Sequence, residues 1–216
     1  IQKYLTNEDK ELKITNGLDE ILDWLRRNET YATFFIVGDI LEKKPDILDK
    51  INSQGHEIGF HTMFHNRLDD ENYNKEKFKD EIKKFNELTN NHSKGFRAPT
   101  FSLNEKSSWV IDVLEEFGYE YDSSIVPVKT RMYGLENAEE KPYFISSNNL
   151  KENNPNGKIK EFPLLVTKFL GKKIPAAGGF YVRTLPTKII KNAIKKYEKK
   201  EIPATFYIHS WELTPQ

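Results

Sequence analysis

The sequence predicts an α/β fold with a parallel sheet or barrel. Apolar runs of strand length alternate with segments of helical periodicity at intervals of roughly 25 to 35 residues, which is typical of βαβ units. Residues 31–37 (Tyr-Ala-Thr-Phe-Phe-Ile-Val) are apolar almost throughout, as expected of a strand that is covered on both faces. Because the 216 residues contain neither a repeat nor a linker, we expect one domain over 1–216.

The first half of the chain supplies three helices and two strands. Leu18, Ile21, Leu22 and Leu25 share one helical face. Pro45 predicts a kink in the second helix, and Gly55 ends that helix because glycine readily takes the left-handed conformation found at helix ends. These signals predict helix 17–27, strand 31–37, helix 39–53, strand 56–61 and helix 74–88.

In the second half of the chain the signals are shorter, because proline or glycine interrupts them. Pro99 breaks a short strand, Gly118 ends a helix, and Pro186 suits the first turn of another helix. Residues 129–158 hold few apolar side chains, so we expect irregular or hairpin structure there. The remaining signals predict strand 95–99, helix 106–117, strand 119–122, strands 160–167 and 180–183, helix 186–199 and strand 204–209.

Composition excludes several classes of function. The 33 basic and 33 acidic residues cancel, whereas a nucleic-acid binder carries an excess of positive charge or a basic stripe. The chain has no cysteine, so it can form neither a disulfide nor a thiolate metal site. No apolar run approaches the roughly 20 residues that a membrane-spanning helix needs. These features leave the compartment open between the cytoplasm and the cell envelope.

Side chains with ligating or catalytic chemistry follow the predicted strands. His61 and His65 stand four residues apart after strand 56–61, and imidazole is the commonest protein ligand of metals. Arg97, Asp122 and His209 lie at the ends of three further strands. Taken singly, each has a structural explanation, such as a surface cation, a turn cap or a core histidine. Because the carboxyl ends of parallel strands converge on one face, their joint placement predicts a functional site there.

Six segments, in order along the chain, resemble the motifs of one known family. They are 31–38 (Ala-Thr-Phe-Phe), 55–65 (Gly-His-Glu-Ile and His-Thr-Met-Phe-His), 95–103 (Arg-Ala-Pro), 119–127 (Asp-Ser-Ser), 178–186 (Gly-Gly-Phe-Tyr-Val-Arg-Thr-Leu-Pro) and 206–213 (Ile-His-Ser-Trp). Together they resemble the polysaccharide deacetylases of the NodB-homology type, carbohydrate esterase family 4. The branch associated with exopolysaccharide and exosortase gene clusters is the most similar. The resemblance implies a distorted (β/α) barrel with fewer than eight full units.

The resemblance also implies a chemistry, namely the removal of N-acetyl groups from the amino sugars of a polysaccharide or other glycan. In the family a divalent metal, commonly zinc, is held by two histidines and one Asp. His61 and His65 match the histidines, and Thr62 would brace the loop that carries them. The metal polarises the acetyl carbonyl and activates a water molecule.

Further roles follow from the same resemblance. His209 matches the histidine that donates a proton to the leaving amine, and Asp122 would hold that histidine in its charged form. Arg97 would orient the general-base carboxylate through a charge-assisted hydrogen bond. A backbone N–H near Thr100 would complete an oxyanion site.

Two rings are candidates for walls of a sugar-binding cleft. Phe101 and Trp211 stand beside the motif residues, and apolar rings stack on sugar faces. Core packing explains the same two rings equally well.

The family's first motif, Thr-Phe-Asp followed by Asp or Glu, does not occur in this sequence. In the family it supplies the general base and the metal-binding Asp. Residues 1–16 resemble the segment that follows it, so we expect the first strand and the third metal ligand, an Asp, upstream of Ile1. On this expectation the chain alone binds zinc weakly and has negligible activity.

Two other functions fit the same fold. One is a hydrolase of small cyclic or linear amides, and the other is a carbohydrate-binding pseudoenzyme that has lost its metal site. The sequence upstream of Ile1 discriminates between an enzyme and a pseudoenzyme. Acetate release from chitooligosaccharides, compared with hydrolysis of small amides, discriminates between the two enzymes.

Overall fold

The computed structural model describes residues 7–212, without the side chains of 7–16 and of Trp211. In this part of the chain the helices are α1 (Asn7–Arg27), α2 (Gly38–Lys43), α3 (Asp46–Asn52), α4 (Lys75–Leu88), α5 (Trp109–Glu116), α6 (Gly179–Thr184) and α7 (Thr187–Glu198). The strands are β1 (Thr33–Ile36), β2 (Glu57–Phe60), β3 (Gly95–Phe96), β4 (Tyr121–Asp122), β5 (Tyr143–Ile145), β6 (Ile159–Glu161), β7 (Val166–Phe169) and β8 (Lys172–Pro175).

The principal sheet has six strands in the order β1-β2-β3-β4-β6-β5, and every neighbouring pair is parallel except β5 with β6. A separate antiparallel pair joins β7 to β8. Beyond β6 the chain continues through isolated parallel bridges that join Leu164 to Thr205 and Gly178 to Tyr207. The mostly parallel sheet confirms the predicted α/β class, and it places the ends of β2, β3 and β4 on one edge.

Two hydrophobic clusters fill the interior. The larger one lies under α4 and α5, where Phe60, Phe78, Phe85 and Phe96 are each 0% exposed and their rings contact one another. The smaller one packs Phe101 together with residues of the second half of the chain, among them Leu165. Burial of this apolar surface is the main force that stabilises the fold.

Local signals explain several helix boundaries. Pro45 separates α2 from α3, as the kink predicted for helix 39–53 required. Asn74 caps α4, because its side-chain oxygen accepts a hydrogen bond from the backbone N–H of Lys77 at 3.1 Å. The helix predicted at 17–27 is also present, but α1 begins earlier, at Asn7.

Three predicted strands differ from the structure. Residues 180–183 form helix α6, which starts after the pair Gly178 and Gly179. The strand predicted at 160–167 is divided between β6 and β7, because Pro163 lies between them and has no N–H to donate to a strand ladder. Residues 204–209 form isolated bridges and not a buried strand.

The predicted strand at 31–37 is present as β1, but it lies at the end of the sheet order and its residues are only half-buried. The prediction of a strand is therefore confirmed, whereas the prediction that both faces of this strand are covered is wrong. Within residues 7–212 no helix has both the length and the apolarity that crossing a bilayer demands.

Candidate active site

The loop that follows β2 carries both histidines. The His61 N–H donates to the carbonyl of Ile36 at 3.2 Å and so extends the β1–β2 ladder by one residue. The chain then turns sharply, with φ of 57° at Thr62 and 58° at His65. Gly38 and Asp39, at the start of α2, donate their N–H groups to the carbonyls of Thr62 and Met63. Backbone hydrogen bonds on both sides therefore fix the loop, whereas Thr62 Oγ1 is buried without a partner among the described residues.

His61 and His65 are placed as two ligands of one ion could be. Their ring centroids are 5.0 Å apart. His61 Nδ1 lies 2.6 Å from the carbonyl oxygen of Arg97, and since a carbonyl only accepts, Nδ1 carries the proton. The lone pair is then on Nε2, where a metal would bind, and such an outer hydrogen bond is typical of ligating histidines.

Both histidines are neutral near pH 7. Burial, with a smaller contribution from the charges of His65 and His209, lowers the pKa of His61 to about 3. Burial also lowers the pKa of His65, and the charge of His209 adds to that effect. Neutral imidazole is the form that binds metals.

A buried acid on α4, which the sequence analysis overlooked, holds the same loop. Glu81 Oε2 accepts the N–H of Met63 at 2.7 Å, between the two histidines. Burial raises the pKa of Glu81. The sequence contained a signal: Glu81 stands between Phe78 and Ile82 on the apolar stripe of an otherwise lysine-rich helix, where a solvated acid does not belong.

Arg97 directly follows β3, and its guanidinium group is enclosed by residues of neighbouring strands. Its Nε donates to the Ser123 carbonyl at 2.8 Å and its Nη2 donates to Ser123 Oγ at 2.6 Å. The guanidinium carbon lies 4.4 Å from the ring centroid of Phe35. Burial lowers the pKa of Arg97 to about 10, while Asp122 and Glu161 favour its charged form. The general-base carboxylate that Arg97 is predicted to orient is not identified among the described residues.

Asp122 occupies a different position from the one predicted. It is 0% exposed, its Oδ1 accepts from Ser124 Oγ, and its register partner in the sheet is Glu161. It makes no hydrogen bond to His209 within the described part of the chain. Asp122 is instead fully buried in the sheet, where Ser124 and Glu161 are its neighbours.

His209 is instead held by Glu212, which the sequence analysis did not identify. The two residues are three apart, at the start of a 3₁₀ turn over Ser210–Glu212. Glu212 Oε1 lies 3.3 Å from His209 Nδ1, and Glu212 Oε2 accepts the His209 N–H at 3.2 Å. Burial lowers the pKa of His209, although Glu212 acts in the opposite direction.

The three residues predicted to contact the substrate do not all lie where a substrate could reach them. Thr100 lies at the rim with φ of 52°, and its Oγ1 accepts from Arg67 Nη1 at 2.8 Å. Phe101 is only 9% exposed and packs edge-on against Tyr207, so it belongs to the core and not to a sugar-binding wall. Trp211 lies in the 3₁₀ turn, and its side chain is outside the described residues. Phe64, between the two histidines, is 57% exposed and was not predicted.

The described residues do not complete a metal site by themselves. Among them, no three His, Cys, Asp or Glu side chains gather where they could share an ion.

A cavity of about 680 Å³ between α1 and α3 lies at the amino-terminal end of the strands, lined by Tyr31 and His56 among others. It therefore lies at the opposite end of the strands from His61 and His65.

Two family models match the chain. Residues 3–121 match the model named polysaccharide deacetylase, and residues 123–216 match a domain of unknown function, DUF3473. A peptidoglycan-N-acetylglucosamine deacetylase of Bacillus cereus is 34% identical over 124 residues, covering 53% of this chain and 56% of the relative. A chitooligosaccharide deacetylase of Sinorhizobium fredii is 39% identical over 46 residues, which are 21% of each chain. The chain spans between 22% and 56% of the first curated relatives that it matches.

Solved structures share the fold. A protein of Pseudomonas aeruginosa described as a polysaccharide deacetylase superposes with a TM-score of 0.63 at 16% identity, covering 91% of this chain and 60% of that one. The allantoinase Puue superposes with a TM-score of 0.61 at 18% identity, covering 93% and 62%. These likenesses confirm the predicted fold, which is a (β/α) barrel in NodB-type deacetylases. The expectation of one domain over 1–216 stays a prediction.

Proposed function

The chain belongs to the polysaccharide deacetylase family, and we propose that it forms part of a metal-dependent hydrolase that removes N-acetyl groups from the amino sugars of a polysaccharide or glycan. One observation carries this proposal. His61 and His65 lie with their ring centroids 5.0 Å apart at the carboxyl edge of a parallel sheet, and the Arg97 carbonyl fixes the tautomer of His61. Two neutral imidazoles held in this way suit a divalent ion.

The metal in the proposal is zinc, which histidine nitrogens bind well. His61 and His65 would hold it, through Nε2 in the case of His61. Bound zinc would supply Lewis acidity toward the acetyl carbonyl and toward water. The third ligand, an Asp, stays a prediction.

The residues around the histidines support amide hydrolysis. In the proposed reaction a water molecule adds through its oxygen to the acetyl carbon and gives up one proton, the C–N bond breaks, and one proton goes to the amine nitrogen, which leaves acetate and the free amino sugar. His209 is the proposed proton donor, with Glu212 stabilising the charged ring. Because burial lowers the pKa of His209, the free ring is neutral at pH 7, and charging it depends on Glu212 and on the negative charge that develops on the acetyl oxygen during the reaction.

The substrate is proposed to lie along the rim that joins Phe64 to Thr100. Phe64 offers an exposed ring beside both histidines, and apolar rings suit the faces of sugars. The backbone near Thr100 is the proposed oxyanion contact, and the left-handed conformation of Thr100 sets the direction of that segment. The narrower assignment to the branch that acts on exopolysaccharides rests on the sequence motifs alone.

Acetate release by the full-length protein tests the proposal. With zinc supplied, we expect acetate from N-acetylated chitooligosaccharides or peptidoglycan fragments and none from a panel of small amides. His61→Ala and His209→Ala should each lower kcat/KM by about 100-fold or more, since removing a general acid or a metal ligand removes stabilisation of the transition state.

The control for these variants is His92→Ala, because His92 is exposed and follows α4 away from the site. It should retain wild-type activity, and all variants should keep the wild-type circular dichroism spectrum. Full activity in either site variant would refute the assigned roles. A folded wild-type protein that binds the glycans but releases no acetate would point to a pseudoenzyme.

A further inference from the structure

Two carboxyl groups lie side by side in the interior of the sheet. Asp122 on β4 and Glu161 on β6 are register partners in parallel strands, and both residues are 0% exposed. Side chains of register partners point to the same face of a sheet, so the two groups meet beneath the rim of the site. Neither takes part in the proposed reaction, and burying two acids together is costly unless something compensates for it.

The oxygen atoms of the pair are unequally satisfied. Asp122 Oδ1 accepts from Ser124 Oγ, and Glu161 Oε1 accepts the Ile125 N–H at 3.0 Å. Asp122 Oδ2 and Glu161 Oε2 have no donor among the described residues. Ionised carboxylates only accept hydrogen bonds, so two such oxygens can be satisfied together only if a proton lies between them.

The charges around the pair lead to the same conclusion. Arg97, directly after β3, is a cation whose charge acts on both acids. From β5, Tyr143 faces them with a neutral phenol, whose O–H donates to the Leu150 carbonyl. One proton on the pair leaves a single negative charge opposite Arg97. With both acids ionised, the second charge would be buried without a counterion in the part of the chain that the structure describes.

We propose that Glu161 is a positioning residue: its carboxyl group and that of Asp122 share one proton, and the hydrogen bond between them fixes the turn 122–125 that holds Arg97. This turn supplies both oxygens that Arg97 contacts on Ser123, and Ser124 Oγ also accepts the N–H of Ala98 at 2.8 Å. The effect on the reaction rests on the proposed function, whereas the shared proton does not.

The pair gives folding a defined pH dependence. Burial raises the pKa of Asp122, and burial together with the charge of Asp122 raises that of Glu161 well above its ordinary value of 4.5. Between pH 4.5 and the raised pKa of the pair, the folded chain keeps a proton that the unfolded chain has lost. The free energy of unfolding therefore falls as the pH rises through this range. The unfolding constant should rise by up to tenfold per pH unit.

The test compares urea unfolding of this chain between pH 5 and 8 in the wild type, Glu161→Gln and Glu120→Gln. Glutamine can accept from Ile125 and donate to Asp122 without titrating. Glu120→Gln is the control, because the same change is made on an exposed side chain beside β4. The unfolding constant of the wild type, divided by that of Glu161→Gln, should rise at least tenfold over this range, while Glu120→Gln should follow the wild type. An unchanged ratio would overturn the proposal.

If Glu161→Gln does not fold, infrared spectroscopy of the wild type decides. The carbonyl stretch of a protonated carboxylic acid should persist at pH 7 and disappear on unfolding, and its absence would overturn the shared proton. In the full-length protein, Glu161→Ala should lower kcat at least tenfold with little change in KM, and Glu161→Gln should restore it. Equal activity of Glu161→Ala and wild type would refute the positioning role, whereas an inactive wild type would refute the proposed function alone.

Discussion

At the scale of single residues, the histidine loop combines strained backbone with dense hydrogen bonding. Thr62 takes a positive φ of 57°, which is unfavourable for a β-branched residue. Such conformations persist only where the surroundings impose them, and they concentrate at functional sites. Here the N–H groups of Gly38 and Asp39 and the carboxyl group of Glu81 impose it from two sides. The direction of His61 and His65 is thus set by residues that bear no catalytic chemistry themselves.

Removing the Glu81 carboxyl group should loosen that loop. Glu81→Ala leaves the buried N–H of Met63 without its acceptor, which costs about 1–3 kcal/mol of unfolding free energy. Glu87→Ala, on the exposed face of the same helix, should change stability by less than about 0.5 kcal/mol. Chemical denaturation measures both variants. Equal stability of Glu81→Ala and wild type would show that another group or water satisfies Met63.

At the scale of elements, helix α1 and the carboxyl-terminal turn approach so closely that only glycine fits between them. A Cβ added at Gly17 would overlap the carbonyl oxygen of Ser210 and lie 2.6 Å from its carbonyl carbon. The turn that begins at Ser210 also carries Glu212, the partner of His209. The packing of α1 therefore sets the position of the proposed proton donor, far away in sequence.

Gly17→Ala sets two effects against each other. Alanine favours a helix interior by about 1 kcal/mol, whereas overpacking against rigid backbone costs about 1–3 kcal/mol. Because the contact is with a main-chain carbonyl, which cannot rotate away, we expect a net loss of stability and displacement of His209.

Thermal unfolding and the NMR shifts of His209 measure these two outcomes. Glu20→Ala, at an exposed position of the same helix, is the control and should leave both unchanged. A stabilised Gly17→Ala with unshifted His209 signals would contradict the close approach.

At the scale of the whole molecule, one aromatic cluster joins the sheet to its helices. Phe60 lies at its centre, with ring centroids 4.7 Å from Phe85 and 5.6 Å from Phe96. Phe60 directly precedes His61, so the cluster also anchors the strand end that presents the site. Packed aromatic rings bury more apolar area than any other side chains and therefore dominate core energetics.

Phe60→Ala should accordingly lower the unfolding free energy by about 3–5 kcal/mol, the range for removing a buried ring. Phe144→Ala makes the same change at a position that is 40% exposed on β5, and it should cost clearly less. Urea denaturation compares the two variants. Similar losses in both would show that Phe60 does not anchor the core.

The sequence predicted much of this arrangement because the relevant signals are local. Apolar periodicity, Pro45 and the cap at Asn74 each act within a few residues, so the α/β class and most of the helices were predictable. The polar residues at strand ends were predictable too, since parallel strands bring their carboxyl ends together whatever their exact register. His61 and Arg97 indeed follow the neighbouring strands β2 and β3, and the charge of His209 acts on His61.

Partners far apart in sequence could only come from the tertiary structure. Whether Asp122 meets His209 or Glu161 depends on strand register, and a shift of one residue reverses the face to which every side chain points. The same applies to Glu81 beneath the histidine loop and to Phe101 in the core. The sequence by itself determined which chemical groups this protein has and at which edge they collect. Only the packing of strands and helices decided which of them touch, because hydrogen bonds and burial depend on distances that no local pattern encodes.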